Sequence, residues 1–245
     1  LGSNVDIRST SGTVDVNNNV TLIDLTGTGT NEINAGANIE LATITDSANV
    51  VELAIGAGND LTTANITLDN LATVLLDVNA DTNGGGGTLS MGNLTAGQIT
   101  VDGTGADDTF NFNGTVTASN TSILINQANN INLSGDVLAA TDLTISNANA
   151  EVQLGTNVDL TATSGTVDVN DSVTLIDLAG TATHEITAGT NVELSTITDS
   201  ANVVELGITA ADDITTADIT LDNLATSLLD VNVDTADSGA TLSAG

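Results

Sequence analysis

Arg8 is the one basic side chain in this chain of 245 residues, and His184 is the one imidazole. Around them stand 32 carboxylates and no cysteine. These types bound the chemistry. Removing a proton from an acidic sugar needs a basic group beside metal-bound carboxylates, and where the sequence repeats, Thr161 stands in the place of Arg8. Glycoside hydrolysis needs two carboxyl groups facing each other across the scissile bond, about 5 to 10 Å apart. Asp107-Asp108 and Asp212-Asp213 are pairs of the right type, but consecutive residues of a strand point to opposite faces. No aromatic platform for a sugar accompanies them. A lone imidazole cannot assemble a metal cluster, so His184, which replaces Asn31, reads as a polar turn residue. No catalysis is expected.

Thr161 answers to Arg8 because the chain repeats itself. TITDSANVVEL occurs at 43–53 and again, unchanged, at 196–206, which is 153 residues later. The match runs without a gap from residues 1–92 onto residues 154–245, with roughly seven positions in ten identical. A first copy (1–92), an unmatched stretch (93–153) and a second copy (154–245) are expected to form one continuous solenoid. Near-identity extends to turns and solvent-facing acids, as recent duplication within a longer tandem array would leave it. The native chain is expected to continue past Gly245 with a sequence close to NLTAGQITVDGTG, and Leu1 to be preceded by one close to TISNANAEVQ. Alternatively, separate subunits stack end to end.

Short strands suit such a repeat. Hydrophobic residues make up 40% of the chain and mean hydropathy is +0.20, which supports a core despite the charge. There is no Trp, Tyr, Pro or Cys, and Phe110 and Phe112 are the only rings, so Val, Ile, Leu and Ala must fill the interior. Thr, Val and Ile favour a pleated strand, while Asn, Asp and Gly favour tight turns. An apolar–polar–apolar phrase recurs, as in Val14-Asp15-Val16, Ile23-Asp24-Leu25, Ile39-Glu40-Leu41, Ile66-Thr67-Leu68, Ile99-Thr100-Val101 and Phe110-Asn111-Phe112. Such alternation marks a strand with its outer pair buried and its middle residue in solvent. Clusters such as NNN at 17–19, TGTGTN at 26–31 and NGGGG at 83–87 supply the turns.

Two architectures use many short strands. A sandwich pairs them antiparallel, usually around a large aromatic core residue. A thin aliphatic interior where like stacks on like favours an elongated β-solenoid, an all-β right-handed parallel β-helix with coils of about 18 to 27 residues. Asn and Thr beside the strands can form ladders from coil to coil, and the absence of proline leaves every backbone N–H for the same purpose.

The phrases NVDLTATSGTVDVNDSVTLIDL (157–178) and TSILINQANNINLSGDVLAATDLTISNANAEVQLG (121–155) resemble the β-strand repeats of filamentous-haemagglutinin-type adhesins and other giant bacterial surface proteins. The resemblance covers essentially the whole chain and is one of style and composition. It implies a secreted or cell-surface β-helical shaft with a structural or adhesive role. Its partners would be neighbouring repeats or stacked identical subunits, with cell-surface glycans as a further class. Gly56-Ala57-Gly58-Asn59-Asp60 and Gly103-Thr104-Gly105-Ala106-Asp107-Asp108 resemble the glycine–aspartate turns of calcium-binding nonapeptide repeats. That second resemblance makes Asp60, Asp102, Asp107 and Asp108 the candidate calcium ligands. In the second copy the first turn becomes Thr209-Ala210-Ala211-Asp212-Asp213, without its glycines.

A formal net charge of −31 narrows the partners. It repels nucleic acid phosphates and anionic membrane surfaces, and no apolar run of about 20 residues is present to insert into a bilayer. Carboxylates stacked on adjacent coils repel by about 0.9 kcal/mol even at the dielectric of water, so the shaft should welcome divalent cations. Thr43, Thr45, Thr62, Thr63 and Thr67 raise ice binding as an alternative surface function. It requires a threonine ladder on one face at every coil, and the variable spacing of the phrases argues against one.

Overall fold

Inward aliphatic residues alternating with outward polar ones give 31 short strands among the described residues, and no helix. The structure is a computed structural model that describes the chain apart from residues 3, 25–26, 48, 105–106, 147–150, 178–179, 201–202, 224–225, 234–238, 240 and 245. Each strand pairs in parallel with the strand three places along, because three strands complete one coil. Three parallel sheets result. The first holds 11 strands, from Asp6–Ser9 to Leu242–Ala244; the second holds 10, from Val14–Val16 to Ile219–Thr220; the third holds 10, from Val20–Leu22 to Leu228–Asn232. The fold is a parallel β-solenoid of about nine turns.

Consecutive coils are offset by 20 residues at the least, where Ile123 lies opposite Leu143, and by 28 at the most, where Leu61 lies opposite Leu89. The longest coil exceeds the expected range because the turn through 81–87 adds residues outside the strands. Gly84 and Gly86, at φ 72° and 86°, take the left-handed bends of that turn, which a side chain would strain. Length is thus absorbed in turns while strand register is kept.

Like stacks on like inside. Leu89, Phe110 and Ile131 lie in register, as do Met91, Phe112 and Leu133, and all six are buried. Fully burying side chains of this size contributes roughly 1.5 to 3 kcal/mol each. Corners are laddered by side chains. Asn65 Oδ1 accepts the Asn93 N–H at 2.8 Å, and Asn93 Oδ1 accepts the Thr115 N–H at 2.9 Å one coil on. Asp136 and Asp159 continue that corner, accepting the N–H groups of Asp159 and Glu185 at 3.0 and 2.9 Å.

The repeat is out of step with the coil. Equivalent strands of the two copies stand 20 strands apart, and 20 is not a multiple of three. Val14–Val16 belongs to the second sheet, but its equivalent Val167–Val169 belongs to the first. Asp6–Ser9 of the first sheet answers to Leu160–Ala162 of the third, and Val20–Leu22 of the third answers to Val173–Leu175 of the second. The second copy is therefore turned by one sheet about the solenoid axis. The fold tolerates this because an in–out–in phrase buries the same aliphatic pair in any of the three sheets. Residues 153 and 154, where unit gives way to copy, both lie within the strand Glu151–Leu154, which pairs on both sides.

One phrase departs from its expected orientation. Ile23-Asp24-Leu25 should place Asp24 in solvent, yet Ile23 is 40% exposed and Asp24 is fully buried. Leu25 lies outside the described residues. The Asp24 carboxylate turns inward to accept the backbone N–H groups of Thr28 and Gly29, which fastens the turn.

Candidate functional site

Carboxylates, the main chemical groups of the chain, fall into two populations. One faces inward and fastens turns. Asp177 repeats the role of Asp24, accepting the N–H groups of Thr181 and Ala182. Asp46 accepts from the N–H groups of Asp69 and Asn70 at 3.1 and 3.2 Å, and its equivalent Asp199 accepts from Asp222 and Asn223 at the same distances. Asp81 accepts from Gly85 and Gly86. All are buried. Charge-assisted bonds to backbone N–H groups are the strong class of hydrogen bond, so these acids hold turns in shape.

Two of the four candidate calcium ligands do the same work. Asp60 Oδ1 accepts the Thr88 N–H at 3.0 Å, while Asp108 Oδ1 accepts the Gly87 N–H at 2.9 Å, so both grip one end of the glycine-rich turn. Asp108 also accepts from Thr104 through its other oxygen, at 3.2 Å. Asp107 is exposed beside that turn. Asp102 sits apart, on the outer face of the first sheet between Asn79 and Asn126, and its buried Oδ1 finds no hydrogen-bond partner among the described residues. Three of the four are thus brought round one turn and Asp102 is not. Among the described residues no group of three or more His, Asp or Glu side chains is placed to hold a metal ion. Gly105 and Ala106 of the second glycine–aspartate turn lie outside the described residues.

The second population faces outward in columns set by strand register. The first sheet carries Asp6 opposite Glu32 and Asp168 opposite Glu193; the second carries Asp15 opposite Glu40. Asp77, half-buried on the first sheet, has its pKa raised by burial and by the nearby Asp102 charge, partly offset by a hydrogen bond from Asn79. A hollow of about 400 Å³ over the second sheet is lined by Asp15, Asn17, Glu40, Ala42 and Thr62 and by no base or aromatic ring. Arg8 pairs with Glu32 at 3.2 Å on the surface, an exposed contact of little energetic weight.

The third sheet is different. Its outward column reads Thr21, Thr45, Thr67, Thr95, Thr117, Leu138, Thr161, Thr187, Thr209 and Asn232, one residue per coil, with no charged member. Asp159, Glu185, Glu205 and Asp230 stand beside the column rather than in it. Of the threonines singled out from sequence, Thr45 and Thr67 belong to this column. Thr62 faces outward on the second sheet, Thr63 is buried, and Thr43 precedes a strand. Thr95, Thr117, Thr161, Thr187 and Thr209 were hidden in the sequence because their spacing varies with turn length.

His184 corrects its sequence reading. It lies within the strand Thr183–Ala188, not in a turn, and is fully buried. Its Nδ1 is 3.1 Å from the Val158 carbonyl, and Nε2 has no partner among the described residues. Burial lowers its pKa, opposed by the Val158 contact and by the charges of Asp159 and Asp177. In the first copy Asn31 fills the same buried place and accepts the Val5 N–H at 3.2 Å. The imidazole is packed into the corner, fully buried.

No family model matches this chain, and neither curated proteins nor solved structures yielded a match.

Proposed function

We propose that the chain is a length of structural shaft from a secreted or cell-surface bacterial filament or adhesin, of the filamentous-haemagglutinin-like kind. The observation that carries this reading is the unbroken stacking of coils through the seam between repeat unit and copy, at the strand Glu151–Leu154. The strands of each coil pair only with those of the coils beside it, so units can be added without a new core. Inward acids spent on turns, and outward acids spread over all three sheets with Arg8 as the one base, itself paired with Glu32, fit a role in which surface charge keeps a rod soluble rather than one in which it reacts.

Adding whole 153-residue units to the chain should lengthen the particle by about 32 Å per unit, since each unit contributes 20 strands at three per coil and about 4.8 Å per coil. Small-angle scattering on a series with one, two and three added units measures this directly. A maximum dimension that fails to grow linearly, or units that scatter as separate globules on a string, would remove the shaft.

A further inference from the structure

We propose that the threonine column of the third sheet is an ice-binding face. The two copies point to it. Because the second copy is turned by one sheet, its strands in the third sheet correspond to first-sheet strands of the first copy. The residues that rotation would place in the column are Arg8, Asn34, Gly56 and Asn79; the second copy has Thr161, Thr187, Thr209 and Asn232 there. Three of these four differ, and every difference makes a threonine. The seven central outward residues that rotation carries onto the other two sheets, Asp168, Thr174 and Glu193 among them, are all identical to their first-copy equivalents. Drift would scatter changes over all three sheets. These changes restore one column on one face after the repeat has rotated it away.

The face has the chemistry of a template for ordered water. Threonine is β-branched and stiff at χ1, and laddered backbone on both sides holds each side chain in place, so little freedom is lost on binding. Hydroxyl and methyl groups recur in eight of the ten coils of the column, interrupted at Leu138 and ending at Asn232, about 4.8 Å apart from coil to coil, near the spacing of second-neighbour oxygens in ice. Thr21 and Thr45 show the closeness of the column, with hydroxyl oxygens 3.4 Å apart. The variable spacing that counted against a ladder is taken up by turns, and register delivers one residue per coil. Other occupants fit less well. A second copy would bring another net charge of −31. A sugar would find no ring to stack on, because Phe110 and Phe112 are fully buried.

Ice affinity tests the proposal. The 245-residue chain is frozen slowly onto a cold finger, and its share in the ice is compared with that of a non-binding reference protein. Enrichment over the reference is expected. It should fall to the reference level in T95E/T117E, at the middle of the column, and persist in T62E/T215E, on the other two sheets. A second variant, T161R/T187N/T209G, installs residues that the first copy already accommodates at equivalent positions, and should also lose enrichment while its circular dichroism melt remains cooperative. Wild-type protein no more abundant in ice than the reference, or enrichment that survives this reversion, overturns the proposal. So does column-dependent binding to an insoluble neutral polysaccharide, or a column-dependent dimer in sedimentation, without ice enrichment. The shaft reading stands or falls separately, on particle length.

Discussion

A buried aspartate in a chain of net charge −31 must be compensated, and Asp24 and Asp177 are compensated by backbone N–H groups of their own turns. Removing either carboxylate takes an acceptor away from those N–H groups, of which Gly29 and Ala182 are buried. D24A and D177A should each cost about 2 to 3 kcal/mol in urea unfolding, against about 0.5 or less for D15A on the exposed face. Equal effects for all three would show that the inward acids hold nothing. His184 gives a pH signature. Burial depresses its pKa in the folded state, so as pH falls the unfolded chain takes up the proton first. Its contribution is then complete above the unfolded value, about pH 6.5, and is lost progressively below it. The melting temperature should therefore decline between about pH 7 and 5.5, and H184N, which restores the residue of the first copy, should flatten that decline. A variant as pH-sensitive as the wild type would assign the effect to carboxylates instead.

At the scale of the strand, Phe110 is the largest side chain in the stack between Leu89 and Ile131. F110A should cost about 3 to 5 kcal/mol. Because strands pair only with those of the adjacent coils, faster amide exchange should be confined to nearby strands such as Thr88–Met91 and Asn130–Leu133 and leave Val14–Val16 unchanged; loosening throughout would contradict a one-dimensional fold. Strands were readable in the sequence because in–out–in phrases such as Val14-Asp15-Val16 need only period-two alternation. Which sheet each strand joins was not, because the phrase is the same on all three and only register separates Thr62 from Thr67. Asp24 and His184 were misread for a related reason. Both are polar and flank turns, and what brings them inside is the set of backbone groups a particular corner leaves unpaired, which no alternation encodes. For the calcium candidates, the glycine–aspartate spacing found the turn, while the bonds of Asp60 and Asp108 to Thr88 and Gly87 emerge only when adjacent coils stack.

For the whole molecule, two facts pull against each other. Rotation by one sheet per unit spreads any repeated surface feature round the rod, so a motif returns to its sheet only after three units. The threonine column resists that averaging, and the carboxylates do not. Copied unchanged and rotated, the acids place negative charge on successive faces, as with Asp15 on the second sheet and Asp168 on the first. Self-repulsion along the solenoid should therefore be relieved by any mobile cation. Melting temperature is expected to rise with sodium chloride. With Asp60 and Asp108 already committed to backbone N–H groups, millimolar calcium at matched ionic strength should raise it no further, and EDTA should not lower it. A calcium increment beyond sodium that disappears in D102N or D107N would instead mark a defined site, since only binding to the folded state adds stability by mass action beyond screening.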